Sequence, residues 1–269
     1  MAMLHPLLAT LCGSLVGFTL GLIGGGGSII ATPLLLYVVG LRPHIAIGTS
    51  AFAVSANAFV NLRGYARAGV VRWPPAILFS IVGAVGAALG SQLGKRVDGD
   101  QLLAIFAVLM IVVGVLMFRQ KLVPTSDEAP VLSRMAAFDP STFWGQLPLF
   151  VTALVVGTLS GFFGIGGGFL IVPGLLFVSR MPMICAIASS LLAVGAFSLT
   201  TAVTYGLSGF VDWPVAMEYL LGGYAGSHLG RALATRLASR KAILNRIFAS
   251  MVFMVALYML YRSAAVIRI

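Results

Sequence analysis

The sequence predicts an all-α polytopic membrane protein with two inverted-topology repeats, each of which opens with a glycine-broken helix. Three observations lead to this fold class: an apolar composition, a series of hydrophobic segments, and an internal repeat. Of the 269 residues, 59% are hydrophobic and 9% are charged, and the mean hydropathy is +1.05. Soluble domains carry about 25% charged residues, so this composition cannot supply a water-facing surface.

The charged residues are sparse but strongly basic. The net charge is +10, from 17 Lys and Arg against 7 Asp and Glu. These cations are too scattered to form a nucleic-acid-binding face, and they are better explained as topology determinants beside membrane segments. The 2 cysteines, Cys12 and Cys185, lie in apolar runs and predict neither a disulfide framework nor a metal cluster. We expect no nucleic acid partner, no metal and no cofactor.

Ten hydrophobic segments follow one another along the chain. A membrane helix needs about 20 mostly apolar residues, and most segments approach this length. The N-terminal run lacks preceding basic residues, so we expect a mature membrane segment rather than a signal peptide. The predicted segments are 7–23, 28–40, 45–62, 73–93, 101–118, 147–163, 168–179, 184–207, 213–230 and 247–262.

The two halves of the chain are copies of each other. A shift of 140 residues places the glycines of the first opening segment on those of the second, and it places Gly69, Val71, Trp73 and Pro74 on Gly209, Val211, Trp213 and Pro214. Internal repeats of this kind are typical of secondary transporters. We therefore expect a first transmembrane repeat over 1–118, a cytoplasmic linker with the entry to the second repeat over 119–146, and a second repeat over 147–269.

Each half opens with a glycine-rich interruption, LGLIGGGGS at 20–28 and LSGFFGIGGG at 159–168. Each glycine costs a helix about 1 kcal/mol relative to alanine, so we expect the helix to stop there. Irregular backbone at membrane depth is tolerated only inside protein or beside a wet cavity. The short segments that follow are too short to cross the bilayer alone, so each opening unit is either a re-entrant hairpin or one discontinuous helix.

The distribution of positive charge favours the inverted arrangement. If each opening unit crosses the membrane once, the 17 basic residues divide 9 against 8, which gives no orientation. If it returns to its starting side, they divide 12 against 5. Because positive residues favour the cytoplasmic side, we expect inverted repeats, outward termini and a cytoplasmic linker.

The candidate substrate-binding residues lie at the two breaks and on the segments that follow. Half-helix N-termini bind anions through free N–H groups and the helix dipole, and hydroxyl groups on the next segment could complete such a site. Alternative roles are close helix packing for the glycines and hydrogen bonds to their own helix for the hydroxyls. The candidates are Gly24, Gly25, Gly26, Gly27, Ser28, Thr49, Ser50, Asn57, Gly164, Gly166, Gly167, Gly168, Ser189 and Ser190.

Three further polar features remain open. Asn57 and Asn61 lie one helical turn apart, and the equivalent positions of the second copy hold Phe197 and Thr201. The two asparagines could set substrate preference or join helices. Glu218 enters an apolar segment and His228 lies in GSHLG, so both are candidates for proton coupling. Pairing with an arginine or exposure at the headgroups is the alternative for Glu218.

The stretch GFTLGLIGGGGSIIATPLLLYVVGLRPHIAIGTSAFAVSANA resembles the first repeat of the sulfite exporter TauE/SafE family, and GTLSGFFGIGGGFLIVPGLL with AIASSLLAV resembles its second repeat. The resemblance covers nearly the whole chain. It implies a multi-pass permease of the bacterial inner membrane that moves sulfite, organosulfonates or related small anions. The first break carries four glycines in a row where the second has Gly-Ile-Gly-Gly-Gly, which is a modest departure between the copies.

The sequence thus predicts a secondary transporter, not an enzyme, with a central anion site reached by alternating access. A channel-like anion pore and a non-transport membrane assembly subunit are the alternatives. No phosphate-binding loop of the form Gly, four residues, Gly-Lys-Ser/Thr occurs, so ATP-driven transport by this chain alone is not expected.

Overall fold

The structure is a computed structural model of the 269-residue chain. It describes residues 4–99, 143–164, 166, 168–179, 181 and 183–237, with isolated positions between 101–112 and 250–257. Everything stated below concerns these residues. They form helices and connecting turns, with no strand in the described ranges.

Each half of the chain contributes the same order of helices. The first half contains α1 (Leu4–Ile23), a 3-10 helix (Gly24–Ile30), α2 (Ala31–Tyr37), α3 (Pro43–Arg67) and α4 (Trp73–Gly94). The second half contains α5 (Phe143–Phe163), α6 (Gly168–Ser179), α7 (Met183–Gly206) and α8 (Trp213–Leu237).

Proline and glycine set the ends of the helices. Pro43 and Pro74 lie in the first turns of α3 and α4, where the missing N–H costs no hydrogen bond. The turns that follow α3 and α7 contain Gly69 and Gly209 with φ of +70° and +75°. The two helical hairpins therefore close in the same way.

Within the part of the chain that the structure describes, four helices are long and apolar enough to cross a membrane, namely those within Pro6–Ile23, Pro43–Arg67, Trp73–Gly94 and Ile184–Gly206. One side of α4 exposes large apolar residues at a spacing of four, among them Ile81, Val85 and Leu89. Such a stripe would be unfavourable in water and is suited to lipid. The predicted all-α membrane protein is thereby confirmed.

Helix α1 packs against α8 of the other half, and helix α5 packs against α4 in the same way. Gly17 of α1 meets the backbone of Gly223 in α8, and Gly157 of α5 meets the backbone of Gly83 in α4. Gly13 contacts Tyr219 and Gly17 contacts Gly223, so residue numbers rise in the same direction along α1 and α8 and the two helices are parallel. Glycine permits this close approach because a Cβ atom would overlap the neighbouring backbone.

Helices α3 and α7 form the centre and run antiparallel. Ser55 Oγ donates a hydrogen bond of 3.0 Å to the carbonyl oxygen of Gly195, near the middle of both helices. Gly48, near the start of α3, lies against Phe210, just beyond the end of α7. Residues 55 and 195 occupy equivalent positions in the two copies. The contacts between the halves are therefore related by an approximate two-fold axis, which places each half on the other.

The helix boundaries follow the predicted segments closely, with one difference. The α-helix stops at the first glycine run as predicted, since α1 ends at Ile23, but residues 24–30 form a 3-10 helix and α2 begins at Ala31 and not at residue 28. A 3-10 helix tolerates glycine and is common as a short connector. The linker, most of 101–118 and most of 247–262 lie outside the described residues.

Candidate functional site

The two breaks have matching backbone geometry. Gly24 and Gly164, which are equivalent in the repeat, have φ of +70° and +66°. A side chain at this φ is strained, so only glycine fits without cost. An added Cβ on Gly24 would also lie 2.7 Å from the carbonyl oxygen of Ile187, and one on Gly164 would overlap the side chain of Ile47. Each break thus packs against the central helix of the other half, α7 for Gly24 and α3 for Gly164.

The two breaks meet in the interior of the protein. The backbone of Gly168, at the start of α6, packs so closely on Gly25 that a Cβ atom would overlap the Gly25 carbonyl group. The N–H of Gly25 donates a hydrogen bond of 3.2 Å to Ser190 Oγ, which comes from α7 of the other half. The structure therefore brings Gly24, Gly25, Gly168 and Ser190 together, and their role in substrate binding stays a prediction.

A group of buried hydroxyls surrounds this crossing. Ser28, Thr32, Ser50 and Ser190 are at most 1% exposed. Thr32 Oγ1 and Ser50 Oγ share a hydrogen bond of 2.9 Å, and Ser28 Oγ donates one of 2.9 Å to the carbonyl oxygen of Gly25. Hydroxyl and backbone N–H groups in a dry site can donate to an oxyanion at favourable energy. Ser50 Oγ and Ser190 Oγ also donate hydrogen bonds to the carbonyl oxygens of Ile47 and Ile187 in their own helices, so an anion would have to replace these bonds.

Ser198 adds an open hydroxyl close to the second break. It is fully buried on α7, its Oγ has no hydrogen-bond partner, and it lies where a Cβ on Gly166 would be. An unpartnered buried hydroxyl is unfavourable unless a ligand or water completes it. Ser198 is therefore a further candidate beside the second break, which the sequence analysis did not single out.

Thr49 and Ser189 lie elsewhere and have other partners. Thr49 Oγ1 accepts a hydrogen bond of 3.0 Å from the backbone N–H of Asp212, and Ser189 Oγ accepts one of 3.0 Å from the N–H of Arg72. Each hydroxyl therefore binds the start of a hairpin helix in the other half. In this structure both are engaged away from the breaks, and their role in substrate binding stays a prediction.

Asn57 is also placed away from the crossing. Its amide lies against Gly223 of α8, while Asn61, one turn further along α3, donates a hydrogen bond of 2.8 Å to Ser227 Oγ. Ser50 and Asn57 are seven residues apart and lie on one face of α3, which meets the breaks at Ser50 and α8 at Asn57.

The remaining predicted residues have simpler surroundings. Gly26 and Gly27 lie in the 3-10 helix, Gly166 follows the turn at Gly164 with φ of +71°, and Gly167 is outside the described residues. Glu218 is half-buried in the second turn of α8 and has no hydrogen bond or ion pair within the described part of the chain.

His228 is exposed on α8, where its Nδ1 lies 3.1 Å from Arg231 Nη2 and its ring packs on Tyr224. The polar contact of His228 is thus with Arg231, although the sequence around it is apolar.

Sequence reasoning did not single out Thr32, Ser227 and Arg231 as partners in these polar contacts. Their spacing offers a partial signal, since Ser227 and Arg231 are four residues apart and share one face of α8. Which face meets which helix is decided by tertiary packing, which a single sequence does not give. Among the described residues, no group of three His, Cys, Asp or Glu side chains is placed to hold a metal ion.

A helical membrane protein whose interrupted segments meet inside belongs, by its architecture, to the class of membrane transporters. The sequence matches the Sulfite exporter TauE/SafE family over residues 9–259, and the chain belongs to this family. The predicted family is thereby confirmed.

Relatives across bacteria and archaea agree with this assignment. A protein of Xylella fastidiosa named "Probable membrane transporter protein" is 52% identical over 255 residues, with 94% of each chain covered. The Bacillus subtilis "Probable membrane transporter protein YunE" is 28% identical, over 86% of this chain and 89% of its own. The Methanocaldococcus jannaschii "Probable membrane transporter protein MJ0441" is 26% identical, over 91% and 93%. No solved structure matches significantly.

Proposed function

We propose that this transporter moves small sulfur-containing anions, such as sulfite or organosulfonates, across the bacterial inner membrane by alternating access. The observation that carries the proposal is the crossing of the two breaks, where the Gly25 N–H and several buried hydroxyls lie together with no carboxylate among the described residues there. In this conformation these groups donate to one another or to nearby carbonyl oxygens, and an anion would take over some of these hydrogen bonds. A site that offers hydrogen-bond donors and contains no carboxylate to repel the ligand suits an oxyanion. Membership of the Sulfite exporter TauE/SafE family supports the sulfur chemistry.

The substrate-binding group would consist of backbone from both breaks together with hydroxyls from α3 and α7. Gly24–Ser28, Gly164, Gly166 and Gly168 provide the backbone, and Ser50 and Ser190 provide the side chains. Thr49, Ser189 and Asn57 would act in the same cycle at the positions described above, and Gly167 keeps its predicted role.

Burial favours alternating access over an open pore. The hydroxyls at the crossing are at most 1% exposed, so neither side of the membrane reaches them in this conformation. An anion could reach them only if one half moves relative to the other. A channel would instead need a continuous water-filled path.

Inverted repeats are supported by the direction of the helices. Equivalent helices α3 and α7 run antiparallel at the centre, with Ser55 bonded to Gly195. A two-fold axis in the plane of the membrane relates equivalent helices in this antiparallel way, whereas an axis along the membrane normal would leave them parallel. In this arrangement the opening unit returns to its starting side, both termini face outward, and the linker is cytoplasmic.

Export of an anion needs no coupled cation, because a negative-inside potential favours it by about 2.3 kcal/mol per charge and 100 mV. Import would require coupling, for which Glu218 and His228 are the candidates. If Glu218→Gln leaves dependence on a pH gradient unchanged, Glu218 is not the proton carrier.

The experiment is flux of labelled sulfite and of small sulfonates into proteoliposomes. We expect saturable flux, reduced about tenfold or more by Ser190→Ala because Gly25 N–H loses its partner and the site loses a donor. Ser80→Ala is the matched control, since Ser80 is buried and bonds only its own helix at Ala76. Equal loss in both variants, or no flux of any sulfur anion, would contradict the proposal.

A further inference from the structure

The contact between α3 and α8 contains a polar side chain with no partner. Asn57 is fully buried, and neither its Nδ2 nor its Oδ1 has a hydrogen-bond partner. A buried amide without hydrogen bonds is strongly unfavourable, and more so at membrane depth. If Asn57 served only to hold helices together, its amide would bond across the contact. Its open amide therefore points to a ligand.

Neighbouring residues continue this polar surface one turn further along both helices. Asn61 Nδ2 donates to the carbonyl oxygen of Asn57 at 2.9 Å and to Ser227 Oγ at 2.8 Å. Because Ser227 Oγ accepts this bond, its own proton is available to donate. Both residues are fully buried, and Asn61 Oδ1 has no partner. Asn61 thus acts as a positioning residue that orients Ser227.

A positive charge lies at the end of the same surface. The guanidinium group of Arg231, one turn beyond Ser227, packs against Gly64 near the end of α3. It is half-buried, and within the described residues its side chain contacts His228 Nδ1 at 3.1 Å and pairs with no carboxylate. A guanidinium without a carboxylate partner is a strong site for an oxyanion.

The other half does not reproduce this surface. Phe197 stands at the position equivalent to Asn57, packs on Gly83, and stacks with Phe79 at a centroid distance of 6.2 Å. Ala87 and Ser91 stand where the first surface has Ser227 and Arg231. The polar surface therefore exists on one side of the molecule only, in spite of the repeat.

We propose that Asn57, Ser227 and Arg231, positioned by Asn61, form a second oxyanion-binding site in the contact between α3 and α8, which we call the α3–α8 seam. The inference rests on the proposed anion transport and extends it. The anion would pass this site between the central crossing and the mouth that bears Arg231. Asn57 Nδ2, the Ser227 hydroxyl and the guanidinium donate to it. The open amide oxygens of Asn57 and Asn61 accept from a proton or water that the anion carries.

The first test needs no knowledge of the substrate. In a protein with Cys12 and Cys185 replaced by alanine, Ser227→Cys and Ala87→Cys are treated in proteoliposomes with an anionic and a cationic methanethiosulfonate. We expect Ser227→Cys to react about tenfold faster with the anionic reagent, an advantage that Arg231→Gln removes, because the guanidinium attracts the anion. Ala87→Cys, at the equivalent position, should show no such preference. Equal rates at position 227, or no reaction there, would overturn the proposal.

The second test separates binding from packing. Asn57→Leu removes two unpartnered polar groups at nearly constant volume, so it should leave the thermal unfolding midpoint unchanged or raise it, while anion flux falls about tenfold. Unchanged flux would show that Asn57 does not meet the anion. Wild-type protein that moves no sulfur anion would contradict the proposed substrate instead, and the charge preference at position 227 would still decide the seam.

Discussion

The backbone N–H of Asp212 donates a hydrogen bond of 3.0 Å to the hydroxyl of Thr49, in the other half of the chain. The equivalent pair, Arg72 and Ser189, repeats this bond at the same distance of 3.0 Å. Each bond joins the start of one hairpin helix to the central helix of the other half. Two matched hydrogen bonds thus hold the halves together at positions where a single sequence shows only isolated hydroxyls.

Removing these hydroxyls should weaken the contact between the halves. Thr49→Val and Ser189→Ala each remove the hydroxyl that accepts a hydrogen bond from a partly buried N–H, at a cost of about 1–3 kcal/mol. The thermal unfolding midpoint of detergent-purified protein should fall in both variants. Thr200→Val is the control, because Thr200 Oγ1 bonds only its own helix, at Ala196. A drop in the control as large as in Thr49→Val would show that the effect is not specific to the bonds between halves.

The two equivalent tyrosines should respond differently to loss of their hydroxyls. Tyr65 Oη donates a hydrogen bond of 2.8 Å to the carbonyl oxygen of Gly21, whereas the buried Tyr205 Oη has no partner. Tyr65→Phe should therefore destabilise the protein by about 1 kcal/mol, while Tyr205→Phe should be neutral or stabilising. The midpoints of the two variants, compared with the wild type, test this; equal destabilisation would contradict the assigned difference in partners.

Alanine at the breaks should cost more than alanine in a turn with the same backbone angle. Gly24 and Gly69 both have φ of +70°, but a Cβ on Gly69 would meet open space, whereas one on Gly24 would lie 2.7 Å from the Ile187 carbonyl oxygen. Gly69→Ala should lose about 1 kcal/mol to backbone strain alone. Gly24→Ala should lose clearly more stability and should also lower flux. Similar losses of stability in both variants would mean that backbone strain, and not packing between the halves, is the reason that glycine is required at position 24.

The sequence predicts the fold well because local chemistry decides it. The Trp-Pro pairs at 73–74 and 213–214 begin helices as expected, and the breaks at Gly24 and Gly164 fall where the glycines are. The candidate site is only partly predictable. Ser50 and Thr49 are adjacent hydroxyls on one helix, yet one faces Thr32 and the other Asp212, because adjacent residues point to different neighbours. Only tertiary packing, within a half for Ser50 and between the halves for Thr49, reveals which neighbours they meet.

The opposite orientation of the two halves can be tested at equivalent positions in the two hairpin turns. Ala68 and Ser208 are both exposed and differ by the repeat interval of 140 residues. Inverted repeats place them on opposite sides of the membrane, whereas parallel repeats place them on the same side. In the background without Cys12 and Cys185, we expect an impermeant thiol reagent to label Ser208→Cys in intact cells and Ala68→Cys only after lysis. We expect the turn at 68 on the cytoplasmic side because it lies among Arg63, Arg67 and Arg72, and positive residues favour that side. Labelling of both cysteines from outside would contradict the inverted arrangement, and the reverse pattern would keep it but turn the protein over.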